Sequence, residues 1–336
     1  MLYHYVVYPM SETLTKPNLT LKDDVPWNAY QRPFVRDLAY VLACPNVLTA
    51  WLDFAPHQNT HTVEVHSVSF WQAQFDAYRE RLKELDTTTA YQVLTRYLMK
   101  RPSPSRLGFH FEGLLSFWLE DGYASKLHPY ETLANNVQLY SGKQTTGELD
   151  LILYNHKEKL VEHWELAIKF FMGSAPFTPE NWVGINSKDN LQRKMTHMQT
   201  KQFRSVWVDT EDHGRIRIEK RYGIIKGRFF LPINTTSFGH HDWPTWLEPS
   251  FPIHEWCDKN DLTNLATLDM TTLRKARYVE WFSKRRFYDS YGRFYDRYQL
   301  PLTHSEEEPL RTGLYFEGDR PIVIYYARCD KVEDKF

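Results

Sequence analysis

Apolar positions recur at three- and four-residue steps through the first third of the chain. Phe34, Leu38 and Val41/Leu42 mark one helix, and Phe70, Phe75/Tyr78, Leu82 and Leu85 mark a second. Asp86-Thr87-Thr88-Thr89 can cap a third, with Tyr91, Leu94 and Leu98 on one face. Residues 1–24 show little periodicity. The two prolines of Arg101-Pro102-Ser103-Pro104-Ser105 then end the helical pattern, because each lacks a backbone donor and crowds the preceding turn. A mainly helical N-terminal region over residues 1–104 is the reading.

Past the break the period changes. Leu107, Phe111, Leu114/Leu115 and Trp118 predict a helix ending near Gly122. A short strand is expected at Val137–Tyr140. In Gly147–Tyr154 the alternation places Leu149, Leu151 and Leu153 on one face, and a turn at residues 155–159 leads to a long strand, Leu160–Phe171. Trp164, Leu166, Ile168 and Phe170 share one face of that strand. A loop with Gly173, Pro176, Pro179 and Gly184 precedes a helix from Asp189 to about Phe203, and further strands follow at Ile216–Glu219 and Tyr222–Leu231. Helix, three strands, helix, strand over residues 105–232 describes an α/β domain without the βαβ repetition of a dinucleotide-binding fold. Residues 233–336 read as a C-terminal extension rich in aromatic and basic residues. It is packed on that core and closed by a hairpin, Gly313–Glu317 with Pro321–Ala327.

Composition narrows the function classes. The 336 residues hold 41 Lys and Arg against 42 Asp and Glu, a formal net charge of -1 that argues against a globally cationic polymer binder. Aromatics reach 15%, enough to build a sizeable core, and only 14 glycines argue against glycine-rich phosphate loops. Cys44, Cys257 and Cys329 are far apart and suit free thiols in a reducing compartment. The N-terminus lacks a basic segment followed by an apolar run, and no apolar stretch approaches the roughly 18 residues a membrane span needs. A cytoplasmic protein without membrane association is expected.

The candidate chemistry lies on the predicted hairpin. Asp150 opposes the leucine face of its strand, while Glu165, Ala167 and Lys169 share a face of the next. An even number of loop residues would set Asp150 opposite Glu165; an odd number would send them to opposite faces. Strands roughly 4.8 Å apart would bring both carboxylates within reach of one divalent cation, and Lys169 could orient a water or stabilise charge on a phosphate. The plainer alternative is an ion-pair cluster on a sheet face.

These residues resemble a known superfamily. Asp150 followed by Glu165-Leu166-Ala167-Ile168-Lys169 in this element order is similar to the PD-(D/E)XK nucleases. Longer phrases point closer: Arg106-Leu107-Gly108-Phe109-His110-Phe111-Glu112, Gly147-Glu148-Leu149-Asp150, His163-Trp164-Glu165-Leu166-Ala167-Ile168-Lys169-Phe170, Trp182-Val183-Gly184-Ile185-Asn186 and Leu191-Gln192-Arg193-Lys194-Met195. They resemble a bacterial family known as a domain of unknown function and grouped with those nucleases. The resemblance implies a restriction-endonuclease-like αβββαβ core with a mixed sheet, and Mg or Mn as cofactor with no organic cofactor. It also implies nuclease-like cleavage of DNA or RNA, or a degenerate relative that only binds. Asp150 would match the first metal-binding acid, Lys169 the lysine, and Glu112 a helical acid that some members add. The pattern departs at Ala167, where an acid is usual, and Glu165 would serve instead.

Nucleic-acid contacts are expected in two places. The helix after Asp189 carries Arg193, Lys194, His197, Lys201 and Arg204. Residues 274–298 hold eight basic residues, among them Arg274, Arg277, Arg285 and Arg286, against three acids, with aromatics interleaved that fit core packing better than base stacking. His57/His61 and His240-His241-Asp242 are incomplete as zinc sites, and Gly142-Lys143 lacks the first glycine of a phosphate loop.

Overall fold

Local sequence decides where the helices start. Pro33 opens α1 (Pro33–Ala43) at the position where its missing donor costs nothing. The Ser67 hydroxyl accepts from the Phe70 amide at the head of α2 (Val68–Thr87). Next come α3 (Tyr91–Met99) and α4 (Leu107–Ala124). The computed structural model describes residues 25–54, 61–103, 106–141, 144–186, 188–233, 244–283 and 310–325. Among them no helix is long and apolar enough to cross a membrane.

Three antiparallel strands follow α4: β1 (Tyr130–Ser141), β2 (Gln144–Asn155) and β3 (Leu160–Gly173). β1 is longer than the expected Val137–Tyr140. Its pairing with β2 shifts between Thr132 and Ala134, and such an irregularity erases the alternation that marks a strand in sequence. The short β4 (Trp182–Gly184) pairs with the end of β3. The helix expected from Asp189 to Phe203 divides into α5 (Leu191–His197), capped by the Asn190 side chain, and a π-helical turn, Met198–Gln202. A separate hairpin, β5 (Trp207–Thr210) with β6 (Gly214–Arg217), leads into β7 (Lys220–Pro232), which runs parallel to β3.

The sheet does not stop there. β8 (Ile253–Asp258) lies parallel to β7 and β11 (Arg320–Tyr325) parallel to β8. β10 (Gly313–Glu317) and the edge strand β9 (Leu273–Lys275) then pair antiparallel. Including β4, nine described strands form one mixed sheet, with α6 (Leu262–Leu265) a single turn beside it. The C-terminal residues thus extend the sheet itself, in strands of three to six residues too short to show a period.

β3 and β7 are covered on both faces. On one, Trp164 packs among Trp71, Trp118 and Tyr130, and the buried Lys226 ammonium donates to the carbonyls of Val41 and Cys44, 3.4 Å above the Trp71 ring. On the other, Trp51, Phe203 and Trp182 close over β3 and β7. One cluster of buried side chains draws on all three sequence regions, from Leu38 through Trp164 to Phe316. Buried Asp37 of α1 fastens it further, bonding His110 of α4 at 2.9 Å and the Ser283 hydroxyl at 2.6 Å. Cys44 and Cys257 are buried free thiols.

Candidate functional site

The β2–β3 turn decides whether two carboxylates meet. Asn155 pairs with Leu160, leaving four loop residues, the even count the geometry requires. The register runs to Leu151 opposite Trp164, so the next step sets Asp150 across from Glu165. There the side chain takes over from the backbone: Asp150 Oδ2 accepts the Leu166 amide at 2.7 Å. The Asp150 and Glu165 carboxyl groups share a hydrogen bond.

Two adjoining carboxylates out of water cannot both ionise cheaply. Glu165 is fully buried, and burial lifts its carboxyl to about 7 against the opposing pull of Lys194. Half-buried Asp150 is raised well above the usual range, by burial first and then by the Glu165 charge. Both shifts favour the protonated, neutral form. Gln202 of the π-helical turn donates to Glu165 Oε1, and His163 Nε2 lies 3.2 Å from Oε2. Burial pushes that imidazole down to about 3, so it stays neutral.

Lys194 and Glu112 act on the pair, and Lys169 lies four residues along β3 from Glu165. Lys194 of α5 is half-buried, and its pKa is lowered by burial while Glu165 and Asp150 oppose the shift. Lys169 Nζ lies 2.6 Å from Asp189 Oδ2, at the more open end of the strand. Glu112 is lifted to about 7 by burial and then by the Asp150 charge, with Arg101 at 3.8 Å drawing the other way. Ala167, between Glu165 and Lys169, is buried and offers no ligand.

The profile of the family described as Domain of unknown function (DUF1853) matches residues 36–311. The chain belongs to that family. No curated protein and no solved structure matches it. The DUF1853 match takes in every site residue from Glu112 to Gln202 and ends just before β10.

The structure therefore brings Asp150 and Glu165 of this DUF1853 chain together, with Lys194 and Glu112 acting on them, while Lys169 lies farther along β3 against Asp189. Among the described residues no group of three or more His, Cys, Asp and Glu side chains has a metal-holding arrangement. A cation here would rest on the Asp150–Glu165 pair and complete its shell with water and substrate oxygens, the habit of Mg²⁺. His163 and Gln202 were not foreseen. His163 could have been, since it shares the strand face of Glu165; Gln202 gives no sequence signal.

The expected nucleic-acid contacts scatter. Arg193 and Lys201 are exposed on the α5 side, while Lys194 turns toward the carboxylates. Arg274 is buried in a two-pronged bond to Glu280, so it is an internal ion pair and not a surface contact. Arg277 is exposed beside it, and Arg285 and Arg286 lie outside the described residues.

Proposed function

We propose that this DUF1853 protein is a metal-dependent phosphodiesterase of the PD-(D/E)XK kind, acting on DNA or RNA with Mg²⁺ or Mn²⁺. The observation that carries the reading is the Asp150–Glu165 pair, two carboxyl groups in hydrogen-bond contact on the strand face that also bears Lys169. The order α4, β1, β2, β3, α5, β7, with β7 parallel to β3, supports it as the arrangement the superfamily resemblance implies. The donor set fits a hard divalent cation, which would take the place of the shared proton between two oxygen ligands.

Asp150 and Glu165 would hold the ion, and Glu112 would add negative charge at the rim. When bound, such an ion lowers the pKa of a water and neutralises phosphate charge. Lys169 would orient that water or steady the charge that grows on the phosphate, and Lys194 would supply a second cation from the helix side. His163 and Gln202 fix the Glu165 carboxyl in place.

Two observations favour a second reading, a relative that binds nucleic acid without cutting it. Ala167 removes the usual second acid, and Lys169 is engaged by Asp189. Labelled linear, circular and branched DNA and RNA, incubated with Mn²⁺ and either wild type or Lys169→Ala, separate the two. Cleavage by wild type alone is the expected result. Binding without cleavage, unchanged in the variant, supports the second reading; neither binding nor cleavage overturns both.

A further inference from the structure

The β5–β6 hairpin packs through an apolar cluster on strands that also carry the proposed site, and was not foreseen as functional. Its inner side buries Val208, with neighbouring Ile218, against Leu149, Ile152 and Val161. Leu149 and Ile152 flank Asp150 on β2, and Val161 lies on the strand of Glu165. Alternation along β5 then turns Trp207 outward. It is the one aromatic among the large hydrophobic side chains exposed in the described residues, 47% open to solvent.

Its neighbours are cations. Arg217 pairs directly across the hairpin from Trp207, and the Arg215 guanidinium lies 5.2 Å from the ring centroid. Both arginines are exposed, and neither has a carboxylate within 4.0 Å among the described residues, although Asp209 pairs with Arg215 along the ladder. The outward face thus presents one indole, two arginines and one aspartate.

We propose that this face is a platform for unpaired nucleic acid, with a base stacking on Trp207 and Arg215 and Arg217 tracking the phosphates. The inference rests on the nucleic-acid reading above and narrows its substrate to single strands or strands opened near the site. A stacking ring beside cations favours unpaired bases, because a duplex hides their faces. The two arginines complement a backbone anion beside the ring, while Asp209 and the turn acids Glu211 and Asp212 lie toward the other end of the hairpin.

The test is fluorescence anisotropy of fluorescein-labelled oligo-dT, oligo-U and a blunt duplex of equal length, in EDTA so that nothing is cut. Wild type is expected to bind the single strands more tightly than the duplex. Trp207→Ala should weaken single-strand binding about ten-fold or more, with Trp207→Phe retaining most of it. Arg215→Ala with Arg217→Ala should lower the slope of log affinity against log salt by about 1.4. Circular dichroism checks that the variants are folded, which their exposed positions favour. Equal single-strand binding by Trp207→Ala, or equal affinity for duplex, overturns the platform. Cleavage is scored separately: cutting with Trp207→Ala binding unchanged sinks the platform alone. Trp207-dependent binding without cutting keeps the platform and sinks the enzyme.

Discussion

Replacing Glu165 by glutamine should stabilise the protein above neutral pH, and the size of the gain follows from the site. The carboxyl sits at about 7 in the fold against an ordinary 4.5. Between those values the folded chain holds a proton that the unfolded chain has released, so this group's contribution to stability falls as pH rises from about 4.5 to about 7. The loss is complete above 7 and amounts to about 3 kcal/mol. A glutamine amide can donate toward Asp150 in place of the carboxyl proton and carries no charge to bury. His163, held neutral down to about 3, contributes the opposite slope below its ordinary 6.5, but it does so in both proteins. The difference between them reports the Asp150–Glu165 pair, since the Glu165 charge also raises Asp150. For a chain of 336 residues the advantage of Glu165→Gln in melting temperature should grow by roughly 4 °C from pH 5 to pH 8. Thermal melts followed by circular dichroism at pH steps of both proteins measure it. A difference that stays flat, or that shrinks as pH rises, refutes the shared-proton picture.

Other consequences follow from the same geometry. Gly227→Ala should destabilise by at least about 3 kcal/mol in urea unfolding, because φ is +136° and a Cβ would collide with the Lys169 carbonyl. Asp189→Asn should cost less than about 1 kcal/mol in the same assay, since its ion pair with Lys169 is partly exposed. Asp37→Ala should cost about 3 kcal/mol by leaving His110 and Ser283 buried without their shared acceptor. Lys169→Ala should slow Mn²⁺-dependent cleavage at least about a hundred-fold in single-turnover kinetics while leaving the melting temperature unchanged.

Much of the frame was written in local pattern. The period of α2 is visible because it buries one stripe, Trp71, Phe75, Tyr78, Leu82 and Leu85, and leaves the rest of its surface more open. The register was not legible: the turn expected at residues 155–159 has an odd count, and only because Asn155 joins β2 and pairs with Leu160 does the loop become even and set Asp150 across from Glu165. Long-range decisions were not legible either. That Glu165 would be buried depends on the layer of Trp51, Phe203 and Gln202 folding over β3, which no window around residue 165 reports. Lys194 looked like a solvated helix cation and faces the carboxylates because α5 packs inward. Arg274 looked like a surface charge, yet Glu280 sits six residues later and takes it into the interior. The short strands from β8 to β11 follow the sheet already built by β7 and carry no period of their own.

The central claim is that Asp150 and Glu165 exchange their shared proton for a divalent cation. Isothermal titration of Mn²⁺ into the protein at pH 7, repeated in buffers of different ionisation enthalpy, tests it most directly. The account predicts saturable binding of one ion with net release of protons, lost in Asp150→Asn. No saturable binding, or binding that Asp150→Asn leaves intact with no proton released, would contradict it.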